Sequence, residues 1–208
     1  MKTIIKNLIS SVGFGQMVVG FGALGEEGWW KSFWSRRPVR KSGDPLPWFS
    51  YAAIDFLEKG RIPKTVNVFE YGCGYSSVWW AKYATSVVSV EHDKSFAEEI
   101  GKIIPSNCEI YLEEDINKYV NRVEFTGKKW NIVVIDGLER QHCCSACIEH
   151  LATDGVVVWD NFERTSAEDI QPLVDAGFRL IEFRSFGPLN GGPWSTTIFY
   201  RDANCLGI

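Results

Sequence analysis

No surplus of positive charge marks this 208-residue chain, in which 22 Lys and Arg stand against 26 Asp and Glu for a formal net charge of -4. A general grip on a phosphate backbone needs clustered cations, so no nucleic-acid partner is expected. Internal repeats and low-complexity tracts are absent as well. Long apolar runs are scarce. The stretch Asn7 to Gly25 carries no charge and follows Lys2 and Lys6, but glycines at 13, 15, 20, 22 and 25 dilute it and no A-x-A pattern follows. That argues against a signal peptide or a membrane anchor. Cysteines number six, at 73, 108, 143, 144, 147 and 205, and four of them fall in segments that read as strand–turn or helix. Reduced thiols in a cytoplasmic protein are the expectation. Cys143, Cys147 and His150 share one helical face, yet structural zinc usually draws ligand pairs from two segments, and no second pair is present. Helix packing is the role expected of these thiols.

What remains is the composition of an ordinary soluble enzyme, 45% apolar and 23% charged. The length suits one domain with some residues to spare. Residues 1–44 read as an N-terminal arm and linker, and 45–208 as the domain. The arm carries Trp29-Trp30-Lys31-Ser32-Phe33-Trp34-Ser35-Arg36-Arg37-Pro38, followed by the turn-rich Lys41 to Pro45. Its three tryptophans are expected to pack the arm onto the domain, with covering a substrate pocket or binding a partner as the other uses.

From Trp48 to Lys59 apolar residues recur at helical spacing until Gly60. The chain then alternates. Strand runs stand at Val66–Glu70, Val87–Glu91, Glu109–Leu112, Ile132–Asp136 and Val156–Asp160, with helix-compatible segments near 76–83, 95–103, 117–123 and 141–151. Strands apolar on nearly every residue are buried on both faces, which predicts a parallel sheet between helical layers. Arg179–Phe186 and Ser195–Arg201, joined by the Gly- and Pro-bearing loop Gly187–Trp194, predict a final antiparallel hairpin. The fold expected is α/β: a Rossmann-like, doubly wound, mostly parallel seven-stranded sheet with an antiparallel C-terminal hairpin.

The strongest local signal is Val68-Phe69-Glu70-Tyr71-Gly72-Cys73-Gly74-Tyr75-Ser76-Ser77, a strand running through a glycine turn into a helix. Glycine lets a ligand approach the backbone closely, and free helix N–H groups face it. Glu91 ends the next strand 21 residues after Glu70, where a carboxylate can accept from both hydroxyls of a ribose. A dinucleotide fingerprint would want glycine at 77, where Ser77 stands, and Glu70 would repel a pyrophosphate while suiting a cationic methionine. The pattern favours S-adenosylmethionine over NAD.

The chain resembles the class I S-adenosylmethionine-dependent methyltransferases, with E-x-G-x-G as first motif and Val90-Glu91-His92-Asp93 carrying the second-strand acid. It is most similar to a small, largely uncharacterised bacterial-type group. That group's pattern is matched by Pro45-Leu46-Pro47-Trp48, Val68 to Ser76, Val87 to Asp93, Ile135 to Cys143, Asp160 to Arg164, and Phe186-Gly187-Pro188 onward to Phe199, with Ser185 where the pattern often has glycine. The resemblance implies cofactor binding by Glu70, Gly72, Cys73, Gly74, Ser76, Glu91, His92 and Asp136. By family position it adds Asp115, with Ile116, at the adenine, an exposed turn being the other reading.

The ends of the fourth and fifth strands carry Asp136, then Asp160 and Asn161, where open α/β sheets place reactive groups. Three such oxygen ligands could hold Mg²⁺ and bind two oxygens of a diol acceptor. They resemble the metal triad of the catechol O-methyltransferase group, although Glu139, followed by Arg140, stands where that group has a catalytic lysine. In the metal-free version Asp136, Asp160, Arg140 or His142 orients or deprotonates the acceptor. The function expected is methyl transfer to a small-molecule acceptor at oxygen, and a homo-oligomer is compatible with it. A non-catalytic module that binds S-adenosylmethionine or a partner is the alternative.

Overall fold

The computed structural model of the chain describes residues 14–125 and 127–208, so residues 7–13 of the charge-free N-terminal run lie outside the described residues. Seven strands alternate with helices. In chain order they are β1 (Asn67–Tyr71), β2 (Ser86–Glu91), β3 (Cys108–Leu112), β4 (Trp130–Ile135), β5 (Leu151–Asp160), β6 (Arg179–Ser185) and β7 (Trp194–Tyr200). The sheet order is β3-β2-β1-β4-β5-β7-β6. The first five strands pair in parallel, whereas β7 is antiparallel to both β5 and β6. This is the expected topology, with the hairpin folded so that its second strand is the inner one.

The helices are α1 (Phe14–Glu27), α2 (Trp29–Ser35), α3 (Tyr51–Glu58), α4 (Tyr75–Trp80), α5 (Lys94–Gly101), α6 (Ile116–Phe125), α7 (Arg140–Cys147) and α8 (Ala167–Asp175). Side chains alternate across a strand, so two buried layers form on opposite sheet faces. Val68, Ile132 and Val158 join Phe49, Leu57 and Trp80 in one layer. Phe69, Val133 and Val157 join Tyr119, Cys143 and Cys147 in the other. The helical cysteines are thus core residues, and all six thiols are free.

Two departures from the sequence reading stand out. α8 has no counterpart in it, although Ser166 caps the helix with a reciprocal Ser166–Asp169 capping box. The arm tryptophans do not all pack inward either. Trp29 is half-buried and donates from Nε1 to the Asn190 carbonyl at 2.9 Å, but Trp30 is 40% and Trp34 78% exposed. Within the arm, fully buried Ser32 donates to Val39 O and accepts from Val39 N, which joins α2 to the segment after it, and Arg40 pairs with Glu58 of α3 to hold that segment on the domain. Among the described residues no helix is long and apolar enough to cross a membrane.

Candidate active site

A cleft of about 1020 Å³ lies over the carboxyl ends of the parallel strands. Gly72, Cys73, Gly74 and Ser76 form its floor beyond β1, Glu91 and His92 border it beyond β2, Asp136 and Arg140 beyond β4, and Asp160 and Asn161 beyond β5. Loop residues Leu189 and Asn190, and Ser35 to Pro38 of the arm, complete the rim. Covering a pocket is one of the uses open to the Trp29–Pro38 patch, and it is the end of the patch, with Arg36 and Arg37, rather than its tryptophans that lines the cleft. Arg37 reaches Glu99 of α5 at 3.5 Å and so ties the arm to the far side of the cleft.

The turn after β1 is built by local chemistry. Gly72 has φ +89°, in the region that favours glycine, and its N–H donates to Val90 O at 2.8 Å. Ser77 donates to Glu70 and accepts from Gly74 N at 3.0 Å, so one hydroxyl joins the strand end to the helix start. This is a use for serine at 77 that the comparison with dinucleotide motifs did not supply. Glu70 is fully buried outside the cleft lining, and Ser89 also donates to it at 3.1 Å. Burial pushes its carboxyl up to about 7 against the pull of these hydroxyls. Its Oε1 has no hydrogen-bond partner among the described residues.

Gly74 differs from Gly72. Its backbone is extended, at φ 173°, and a Cβ there would meet nothing closer than Ser76 Oγ at 3.6 Å. The fold therefore tolerates a side chain at 74, whereas a ligand pressed against the turn would not. Gly74→Ala is expected to lower stability by about 1 kcal/mol or less while weakening nucleoside binding at least about tenfold. Titration of wild type and variant with S-adenosylhomocysteine, beside their melting curves, checks both halves.

Glu91 is nearly buried. Its Oε2 accepts from Cys73 N at 3.1 Å, and its Oε1 accepts from the backbone N–H groups of His92 and Asp93 at 2.8 and 2.9 Å, beside His92 Nδ1. These bonds fix the carboxylate at the cleft edge. Asp115 is exposed, outside the cleft lining, and accepts from Lys118 N at 3.0 Å at the start of α6.

Arg140 organises the other half of the site. Its Nη2 lies 3.1 Å from Asp136 Oδ1 and 3.2 Å from Asn161 Oδ1, its Nε donates to Gly137 O, and its Nη1 donates to the Asp160 carbonyl. The side-chain oxygens expected to face Mg²⁺ at Asp136 and Asn161 thus already face one guanidinium. Asp160 Oδ1 accepts from Thr196 Oγ1 and, at 3.3 Å, from Trp194 Nε1. A divalent ion at this point would have to displace a cation of the chain itself, so the donor set does not fit a metal. Among the described residues no group of three His, Cys, Asp or Glu is arranged to hold one. His142 is exposed, sits outside the cleft lining and meets Glu139 at 2.8 Å.

Two adjacent carboxyls with one cation between them cannot both ionise easily. Burial raises Asp136 to about 6, with Arg140 opposing the rise. Burial, then the nearby Asp136, hold Asp160 well above the usual carboxylate range.

The described architecture is that of the Rossmann-like methyltransferase fold. The sequence matches no protein-family model and no curated protein. Solved structures are similar to it, however. One is a precorrin-6y C5,15-methyltransferase from Geobacter metallireducens GS-15, with TM-score 0.56 and 14% identity over 72% of this chain and 87% of that one. A second is an O-methyltransferase from Bacillus cereus in complex with SAH, with TM-score 0.53 and 17% identity over 71% and 79%. A third is a spermidine synthase from Thermotoga maritima, with TM-score 0.50 and 18% identity over 70% of this chain and 56% of that one. The likeness at these identities is one of fold, and it spans proteins named for different reactions.

Proposed function

We propose that this chain is an S-adenosylmethionine-dependent methyltransferase acting on a hydroxyl of a small-molecule acceptor. The observation that carries the reading is the shared cleft, in which the glycine turn beyond β1 and Glu91 beyond β2 face Asp136 and Asp160. The residues present fit the cofactor on two counts. A Cβ at Gly74 would meet nothing closer than Ser76 Oγ at 3.6 Å, so the bare backbone there is not required by packing and leaves room for a ligand, and Glu91 is fixed beside the turn, where it can accept from a ribose. Glu70, fully buried outside the cleft lining, supports the turn through Ser77.

When bound, S-adenosylmethionine supplies a methyl group whose bond to sulfur breaks with the electron pair left on sulfur, as a new bond forms to the acceptor oxygen. The chain's own residues prepare that oxygen. Asp136, ionised above about pH 6, takes the acceptor's proton, and Arg140 holds the carboxylate in place through Nη2. Asp160, its Oδ1 held by Thr196 and Trp194, presents a fixed hydrogen-bond partner.

The exposed row Trp30, Phe33 and Trp34 favours a second reading, a module that binds a partner. Cofactor binding and turnover separate the two. With S-adenosylhomocysteine at roughly 100 times its dissociation constant the protein should gain about 2.7 kcal/mol, a rise on the order of 5–10 °C in melting midpoint, with no rise from NAD. Absence of any rise with the sulfur nucleoside would overturn the proposal.

A further inference from the structure

The exposed rings of the arm form one continuous surface. Phe21, Trp30, Trp29, Phe33 and Trp34 follow one another in contact, with ring centroids 5.7, 4.8, 5.4 and 5.4 Å apart. Phe21, Trp30, Phe33 and Trp34 are each at least 40% exposed. The inner side of α2 is occupied, since Ser32 is fully buried on Val39 and half-buried Trp29 donates to the Asn190 carbonyl. Positions two residues either side of Ser32 lie about 200° round a helix from it, so Trp30 and Trp34 point out of the domain. Neither lines the cleft. A run of touching rings differs from the single apolar side chains that any surface carries.

The shape and charge around these rings say what meets them. Trp34, the most exposed of the four, stands on a ridge and not in a groove. A ridge of Trp and Phe suits a yielding surface, because an indole settles at the boundary of water and acyl chains with its apolar body inward and its N–H outward. Charge is divided along the chain in the matching sense. Residues 1–44 carry seven Lys and Arg against three Asp and Glu, a net +4, which leaves -8 on residues 45–208. α2 bears Lys31 and no acid, and Arg36 closes it. Of the arm's acids, Glu26, Glu27 and Asp44, the first is met by Lys41 Nζ at 2.7 Å and the last by Ser42 Oγ at 2.7 Å. Attraction to a charged plane acts through a field that reaches roughly 10 Å, so these cations need not converge on one group. The acidic domain is repelled by the same plane, which presents the arm first.

We infer that α1 and α2 dock on an anionic lipid surface, with Phe21, Trp30, Phe33 and Trp34 set among the headgroups and the basic residues of the arm supplying the attraction. A segment that lies on a bilayer buries one face only, so a helix long enough to cross is not required. The charge-free sequence from Asn7 to Gly25 brings no ion into the apolar layer. The contact is separate from the cleft and stands with or without methyl transfer.

The test is cosedimentation of the full chain with vesicles of phosphatidylcholine alone and of phosphatidylcholine containing about 30% phosphatidylglycerol. Partitioning is expected to be about tenfold or more stronger on the anionic vesicles and to weaken there as salt is raised. Phe33→Ser/Trp34→Ser is expected to lower it at least about tenfold. Lys31→Gln/Arg36→Gln is expected to shrink the anionic preference at least about threefold while the rings stay in place. Melting curves establish that both double variants are folded, and the ring variant should keep its melting response to S-adenosylhomocysteine, which separates failure at this surface from failure of the cofactor reading. No binding to either vesicle, equal binding to both, or binding that the ring variant retains overturns the inference. So does a dimer, seen by light scattering without lipid, that the ring variant dissolves, because that gives the face to a second copy of the chain.

Discussion

Asp136→Asn is expected to reduce methyl transfer from tritiated S-adenosylmethionine by about two to four orders of magnitude, the range lost when a positioned proton acceptor is removed. The amide keeps an oxygen for Arg140 Nη2, which lies 3.1 Å from Asp136 Oδ1, so the loop geometry persists. The pH profile identifies the role. A carboxyl raised to about 6 by burial must lose its proton before it can accept another. The wild-type rate should therefore climb roughly tenfold per pH unit below about 6 and level off above it. In Asp136→Asn the residual rate should be flat across that window. An ascending limb that survives the substitution would assign the proton acceptor elsewhere.

The largest effect on stability is expected from Gly187→Ala. A Cβ at 187 would stand 2.2 Å from the Phe49 carbonyl oxygen and 2.4 Å from the Trp194 ring, and neither can yield cheaply. Phe49 is fully buried and Trp194 nearly so, and Tyr51 N donates to Phe186 O at 2.8 Å across the same junction. Overpacking of this kind costs about 3 kcal/mol, which for a chain of this size is a fall on the order of 6–12 °C in melting midpoint. The same push moves Trp194 off Asp160, so turnover should fall further than the folded fraction does. A variant that melts like wild type would mean that the junction relaxes freely. Gly187→Ala and Gly74→Ala make a pair in which one glycine serves packing and the other an approaching ligand.

Much of the fold is legible in the sequence because a strand buried on both faces is apolar at successive residues, as in Ile132 to Ile135 and in Val156 to Trp159. α8 is not, because its amphipathic stretch is short and carries Pro172, and its only clear marker is the Ser166–Asp169 pair. At the site, Gly72, Gly74, Glu91, Asp136 and Asp160 can be placed at strand ends from chain order. Partners cannot. Asp136 and Arg140 are four residues apart, a spacing the sequence displays, but Asn161 lies a further strand away, and its approach to the same guanidinium is a tertiary fact. The patch Trp29–Pro38 is conspicuous in the sequence, but that its end at Arg36 and Arg37 lines the cleft while its tryptophans do not depends on where α2 stops. Exposed Trp34 shows the same limit from the other side, since aromatic content says that surface is available and not which surface is covered.

The order of the strands bears on how the chain reaches this state. β7 is the last strand in the sequence, yet it lies between β5 and β6. Until Trp194–Tyr200 has left the ribosome, the growing chain holds two unpaired strand borders that nothing else in the described fold covers. One of them belongs to β5, which is apolar through Val156, Val157 and Val158. Such borders are templates for wrong pairing between nascent chains. Synthesis conditions that slow the final segment should therefore raise the aggregated fraction, independently of any ligand.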